Sequence, residues 1–109
     1  MGQAKSRTSI SVGEDENTEA YPLVVLITGC STGIGLSTAA ILAQDDKRFK
    51  VYATMRNLEK KSALETSAGK CLGESLFIKA LDVLSEEAVN SLVKEIESVE
   101  GRIDVLGEL

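Results

Sequence analysis

Apolar and polar positions fall along this chain in blocks of two kinds. Leu23-Val24-Val25-Leu26-Ile27 is a short unbroken apolar run, rich in branched residues and bounded by Pro22 and a glycine turn. Such a run reads as a parallel strand buried on both faces. Leu36 to Gln44 is small and apolar, as expected of a helix packed close to a sheet, and the helix is read from Ile34 to Gln44. Asp45-Asp46-Lys47-Arg48 is a polar link, and Phe49 to Met55 reads as a second strand. Asn57 is a good N-cap for a helix from Leu58 to Ala68, with Gly69 as its stop. Ser75 to Leu81 gives a third strand. Ser85 caps the next helix, whose Val89, Leu92, Val93, Ile96 and Val99 form one apolar stripe ending before Gly101. Ile103-Asp104-Val105-Leu106 begins a fourth strand.

Strand and helix therefore alternate as βαβαβα plus the start of a further β. This order predicts an α/β fold, a three-layer doubly wound parallel sheet of which the first half is present. Residues 1–20 have no apolar period, and Glu14-Asp15-Glu16 is a solvated charge run. They read as a disordered tail ahead of a partial dinucleotide-binding domain over residues 21–109.

The first strand runs into Thr28-Gly29-Cys30-Ser31-Thr32-Gly33-Ile34-Gly35, and a helix opens inside that turn. Unpaired N–H groups at a helix start, together with the helix dipole, favour a pyrophosphate. Gly29 suits the tight turn, Gly33 the close approach of phosphates, and Gly35 the close packing of helix on strand. Gly29, Ser31, Thr32, Gly33, Ile34 and Gly35 are the candidate cofactor-binding residues of the turn. No Gly-Lys-Ser/Thr follows, which argues against a nucleoside-triphosphate P-loop. Cys30 occupies a variable position of the fingerprint and reads as a small residue that fits.

A second feature selects among dinucleotides. In such a site the residue after the second strand meets the adenosine ribose, where a carboxylate binds the 2′-hydroxyl and an arginine accepts a 2′-phosphate. No carboxylate occurs from Lys50 to Leu58, and Arg56 lies twenty-one residues after Gly35. The expected cofactor is NADP(H), held through a charge-assisted guanidinium–phosphate contact.

Composition narrows the rest. The chain has 109 residues, 43% of them hydrophobic, and a formal net charge of −5. That balance carries no basic stripe for nucleic acid. Two cysteines and no histidine point to neither a disulfide scaffold nor a metal site. The start lacks the apolar core of a signal peptide, so the chain is expected in the cytoplasm. Met1-Gly2-Gln3-Ala4-Lys5-Ser6 fits an N-myristoylation pattern. An acylated Gly2 would give weak association with the cytoplasmic face of a membrane, since one acyl chain binds only marginally.

Thr-Gly-x-x-x-Gly-x-Gly directly after a first strand resembles the short-chain dehydrogenase/reductase family. The likeness extends through Val51-Tyr-Ala-Thr-Met-Arg-Asn57, Leu81-Asp-Val83 and Asp104-Val-Leu106, and it is greatest to members acting on retinol and on 17β-hydroxysteroids. The resemblance implies NADP(H)-dependent interconversion of a retinoid or steroid alcohol and its carbonyl. It also implies that Thr32 and Arg56 hold the 2′-phosphate and that Asp82 and Val83 frame the adenine. In the family the fourth strand runs into Asn-Asn-Ala-Gly, with a catalytic serine and Tyr-x-x-x-Lys further on. Here Gly107-Glu108-Leu109 follows, and neither Tyr21 nor Tyr52 has a lysine four residues later. The expectation is a truncated product with no catalytic residue, inactive by itself. A non-catalytic NADP(H)-binding fragment that pairs with a full-length relative, or an unstable product, is the alternative. With a strand order of 3-2-1-4, the fourth strand is expected to be an exposed edge.

Overall fold

The computed structural model describes residues 10–12 and 22–107. Its central strand is β2 (Leu23–Ile27), bonded in parallel to β3 (Phe49–Met55) on one side and β5 (Val105–Gly107) on the other. β4 (Leu76–Ala80) extends the parallel sheet beyond β3. Alternate side chains of β2 enter different cores. Val25 and Ile27 pack with Ala39 and Ala43 of α1 (Gly33–Gln44) and with Leu64 and Ala68 of α2 (Ser62–Ala68). Val24 and Leu26 pack with Leu92 and Ile96 of α3 (Glu86–Glu100). Helices on both faces of a parallel sheet are the expected three-layer arrangement, and they explain why β2 is an unbroken apolar run.

The structure departs from the pattern at four places. The stretch read as one helix from Leu58 to Ala68 is split into a 3₁₀ turn at Leu58–Lys60 and the helix α2. Leu64 and Ala68 are the buried residues of α2, whereas the 3₁₀ turn buries none, so packing holds the α-form only where those two dock. Val99, counted in the apolar stripe of α3, is 69% exposed, because the stripe meets the sheet through Leu92 and Ile96. The last strand is Val105–Gly107, displaced towards the C-terminal side of the expected Ile103–Leu106.

The fourth departure is at the sheet edge. Ile10–Val12, within the stretch read as a tail, forms β1 and pairs antiparallel with β5. The full order is β1-β5-β2-β3-β4, so the outer side of β5 is paired and not open. Three residues are too few for a periodic signal to register among their polar neighbours. Residues 1–9 and 13–21, Gly2 and its acylation pattern included, lie outside the described residues.

Polar contacts fix the sheet at the start of its strands. The Asp104 carboxylate accepts the Val24 N–H at 2.8 Å and Arg102 Nε at 2.7 Å. Arg102 also donates to the Pro22 carbonyl at 3.0 Å, which ties the approach to β5 to the start of β2. On the α3 side, Glu100 accepts the Tyr52 hydroxyl and pairs with Lys50 at 2.9 Å. The Tyr52 ring stacks on Phe77, with centroids 5.2 Å apart. Burial pushes the Tyr52 hydroxyl pKa up, and the Glu100 carboxylate adds to that rise. Burial by itself raises Glu100, but the Tyr52 hydroxyl and the Lys50 ammonium outweigh it and hold the carboxyl below its usual value.

A carboxyl depressed in the folded state stabilises above its unfolded pKa and loses that contribution as pH falls through the folded value. Tyr52→Phe should therefore cost about 1.5 kcal/mol near neutral pH, the low end for a bond to a charged group because Lys50 still pairs with Glu100. The gap in stability between wild type and variant should narrow as pH falls below ~4. Denaturant titrations over a pH series measure it, and a gap independent of pH would contradict this role for Glu100.

Candidate functional site

The candidate residues gather at the carboxyl ends of three adjacent parallel strands. After β2, Gly29 turns the chain at φ 67° and Gly33 does so again at φ 66°, backbone conformations that side chains rarely adopt. Gly35 lies against the backbone of Gly29, where an added Cβ would meet the Gly29 carbonyl, its carbon only 2.8 Å away. Ala39 and Ala43, both wholly buried, continue that close contact along α1.

The start of α1 is left open to an anion. The N–H groups of its first turn have no preceding carbonyl to bond. Thr32 is the N-cap in extended conformation, and its hydroxyl makes no capping bond. No acidic residue lies in that first turn, whereas α3 begins with Glu86 and Glu87 and with a Ser85 side chain that accepts the Ala88 N–H. The positive end of the α1 dipole is thus uncompensated from within the helix itself. Thr32, Gly33 and Ile34 are exposed and Ser31 is half-buried.

Backbone bonds join this turn to the ends of the neighbouring strands. Cys30 N–H donates to the Thr54 carbonyl at 2.9 Å, and the buried Thr54 hydroxyl donates to the Ile27 carbonyl at 3.2 Å. Leu81 N–H donates to the Met55 carbonyl at 2.9 Å. Arg56 directly follows Met55, and Asp82 directly follows Leu81. The glycine turn, Arg56 and the Asp82–Val83 pair are therefore laced to one end of the sheet. Arg56 is exposed and has no ion-pair partner among the described residues.

Asp82 is partly engaged locally. Its carboxylate accepts the Leu84 N–H at 3.0 Å, and its carbonyl accepts the Ser85 N–H at 2.9 Å, which shapes the turn into α3. Val83 is half exposed beside it. Cys30 is wholly buried, with its thiol donating to the Ile27 carbonyl at 3.4 Å. Burial pushes that thiol up to about 11, against a small opposing effect of the Thr54 backbone, so it is an inert packing group near neutral pH. Thr54 is the positioning residue the sequence pattern missed. A hydroxyl inside an apolar strand, two residues before Arg56, was the available signal.

A cavity of about 690 Å³ lies elsewhere, between the C-terminal ends of α1 and α2, lined by Gln44, Asp46, Ala68, Lys70 and Cys71 among others. None of the glycine-turn residues borders it. Among the described residues no group of His, Cys, Asp and Glu is placed to hold a metal, and no helix is long and apolar enough to cross a membrane.

A glycine turn between a buried strand and a helix, at the carboxyl edge of a parallel sheet, is a dinucleotide geometry. Residues 23–108 match the family described as short chain dehydrogenase. The chain belongs to this family.

Short-chain dehydrogenases are oxidoreductases that bind nicotinamide dinucleotides. Human retinol dehydrogenase 8 is 49% identical over 88 residues, covering 80% of this chain and 27% of the relative. Human 17-beta-hydroxysteroid dehydrogenase type 1 is 45% identical over 86 residues, covering 76% of this chain and 26% of the relative. The chain thus spans about a quarter of the length of these curated relatives. Among solved structures, NAD+-bound xylitol dehydrogenase superposes with a TM-score of 0.59 at 25% identity, over 80% of this chain and 32% of that one.

The two glycines that differ most in surroundings should separate by stability. Gly33→Ala meets no atom within 4 Å and incurs only the left-handed backbone, about 1 kcal/mol. Gly35→Ala forces α1 away from β2 and should cost about 3 kcal/mol, the range of an overpacked core. Urea unfolding of both variants checks this order; equal losses would show that Gly35 does not set the helix–strand contact.

Proposed function

We propose that this chain forms the cofactor-binding part of an NADP(H)-dependent oxidoreductase acting on a retinoid or 17β-hydroxysteroid alcohol and its carbonyl. The observation that carries the cofactor choice is Arg56. It is a guanidinium without an ion-pair partner among the described residues, at the end of β3, in a stretch without a carboxylate, and the Cys30–Thr54 backbone bond ties that strand end to the turn. Thr32, with its hydroxyl unused by the helix, joins Arg56 at the 2′-phosphate. The first turn of α1 takes the pyrophosphate against Gly33, Ile34 and Gly35, with Gly29 and Ser31 shaping the approach. Asp82 and Val83 border the adenine, the carboxylate acting through the turn it already fixes. The substrate class rests on the retinol and hydroxysteroid relatives alone.

Bound nicotinamide supplies or takes the hydride; this chain's residues bind and orient it. Reducing a carbonyl also needs a placed acid for the developing alkoxide. Tyr52 does not serve, because its hydroxyl is engaged by Glu100 on the α3 face and its proton is held more tightly than in water. By itself the chain is a binding unit without turnover, and retinal reduction by the purified chain would overturn that statement.

Calorimetric titration with NADPH and NADH in parallel tests the cofactor reading. NADPH should bind at least tenfold tighter, and Arg56→Ala should remove about 1.5–3 kcal/mol from NADPH binding while leaving NADH unchanged. Equal affinity for both nucleotides would remove Arg56 from this role, and binding of neither would overturn the site.

A further inference from the structure

Thr54 places a hydroxyl in the buried part of β3, between Ala53 and Met55. Such a group is costly to bury unless bonded, whereas valine would fill the same shape without it. Here the hydroxyl donates to the Ile27 carbonyl at 3.2 Å, and the Thr54 carbonyl accepts the Cys30 N–H at 2.9 Å. One residue of β3 thus holds both ends of the bend from Ile27 to Cys30, where β2 leads into the glycine turn. Lys50 and Tyr52 reach Glu100 of α3, and alternation places the Thr54 side chain on that same face. The Cys30 thiol packs in the core on the α1 side and donates to the same Ile27 carbonyl at 3.4 Å. The last carbonyl of β2 is therefore held from both faces of the sheet. Ile27, Cys30 and Thr54 are each at most 1% exposed, so the arrangement is internal to the described chain.

We propose that Thr54 is a specificity-determining positioning residue: its hydroxyl fixes the spacing between the glycine turn and Arg56, and through that spacing the preference for a 2′-phosphorylated dinucleotide. The inference rests on the cofactor reading given above. A dinucleotide anchored by its pyrophosphate at the first turn of α1 presents its ribose at a set distance from that turn. Arg56, two residues beyond Thr54, meets a 2′-phosphate there only if the end of β3 is held at that distance. The turn itself keeps its Gly35 contact and its Cys30–Thr54 backbone bond when the hydroxyl is gone. NADH has no phosphate for Arg56 to meet, so the hydroxyl matters to NADPH alone.

Thr54→Val on the full chain removes the hydroxyl and keeps the backbone bond; Thr54→Ser keeps both and serves as the rescue. In parallel calorimetric titrations, Thr54→Val should weaken NADPH binding about threefold to tenfold and leave NADH unchanged. Thr54→Ser should restore NADPH. In an Arg56→Ala background, Thr54→Val should have no further effect on NADPH, because the hydroxyl acts through Arg56. Unchanged NADPH binding in Thr54→Val, beside a wild type that prefers NADPH, defeats this inference and leaves the cofactor reading intact. Equal losses for both nucleotides, no rescue by serine, or a further loss in the Arg56→Ala background would also overturn it. Thr54 would then hold the fold and not the spacing. A wild type without preference overturns the cofactor reading itself, and this inference with it.

Discussion

The contact on which most of the structure depends is the approach of α1 to the backbone of the turn after β2. Gly35 sits against Gly29 with no room for a Cβ, and Ala39 and Ala43 carry the same close spacing down the helix. That spacing aims the first turn of α1 past the carboxyl end of β2. It also lets Cys30 reach the Thr54 carbonyl, so the geometry of the turn is transmitted to β3. A larger residue at position 35 would move the helix start, the turn and the strand end together.

Electrostatics divides the two long helices between separate tasks. α3 is closed at its start by Ser85 and by two glutamates, as suits a helix that only covers the sheet. α1 has neither a side-chain cap nor an acidic first turn, so its positive end remains available to a ligand. Asp82 shows the opposite economy, with one carboxylate oxygen already bonded to the chain. In the proposed nucleotide site it would contribute through the shape of the turn as much as through charge.

Away from the site, two polar knots hold the sheet in register. Asp104 and Arg102 tie the start of β5 to that of β2, and Glu100 ties the end of α3 to β3 through Tyr52 and Lys50. Both knots lie towards the end of the sheet opposite the glycine turn. The candidate binding edge is thus left with backbone cross-links and, among the described residues, few competing charges, which suits an anionic ligand.

The order of strands and helices could be read from the chain because it is carried by local signals. The unbroken run Leu23–Ile27, the three glycines of the turn and the spaced apolar residues of α3 each state their own conformation. The nucleotide geometry followed from the same stretch, since the glycines are needed where backbone meets backbone. The split before α2, the exposure of Val99 and the pairing of Ile10–Val12 were decided by tertiary structure. Each depends on what packs or pairs across the sheet, which no local window contains. Thr54 and Glu100 belong to the same class: their partners lie 27 and 48 positions away in sequence. Local pattern determined which elements form and where the candidate site lies; long-range packing determined how the sheet is paired and which polar groups hold it.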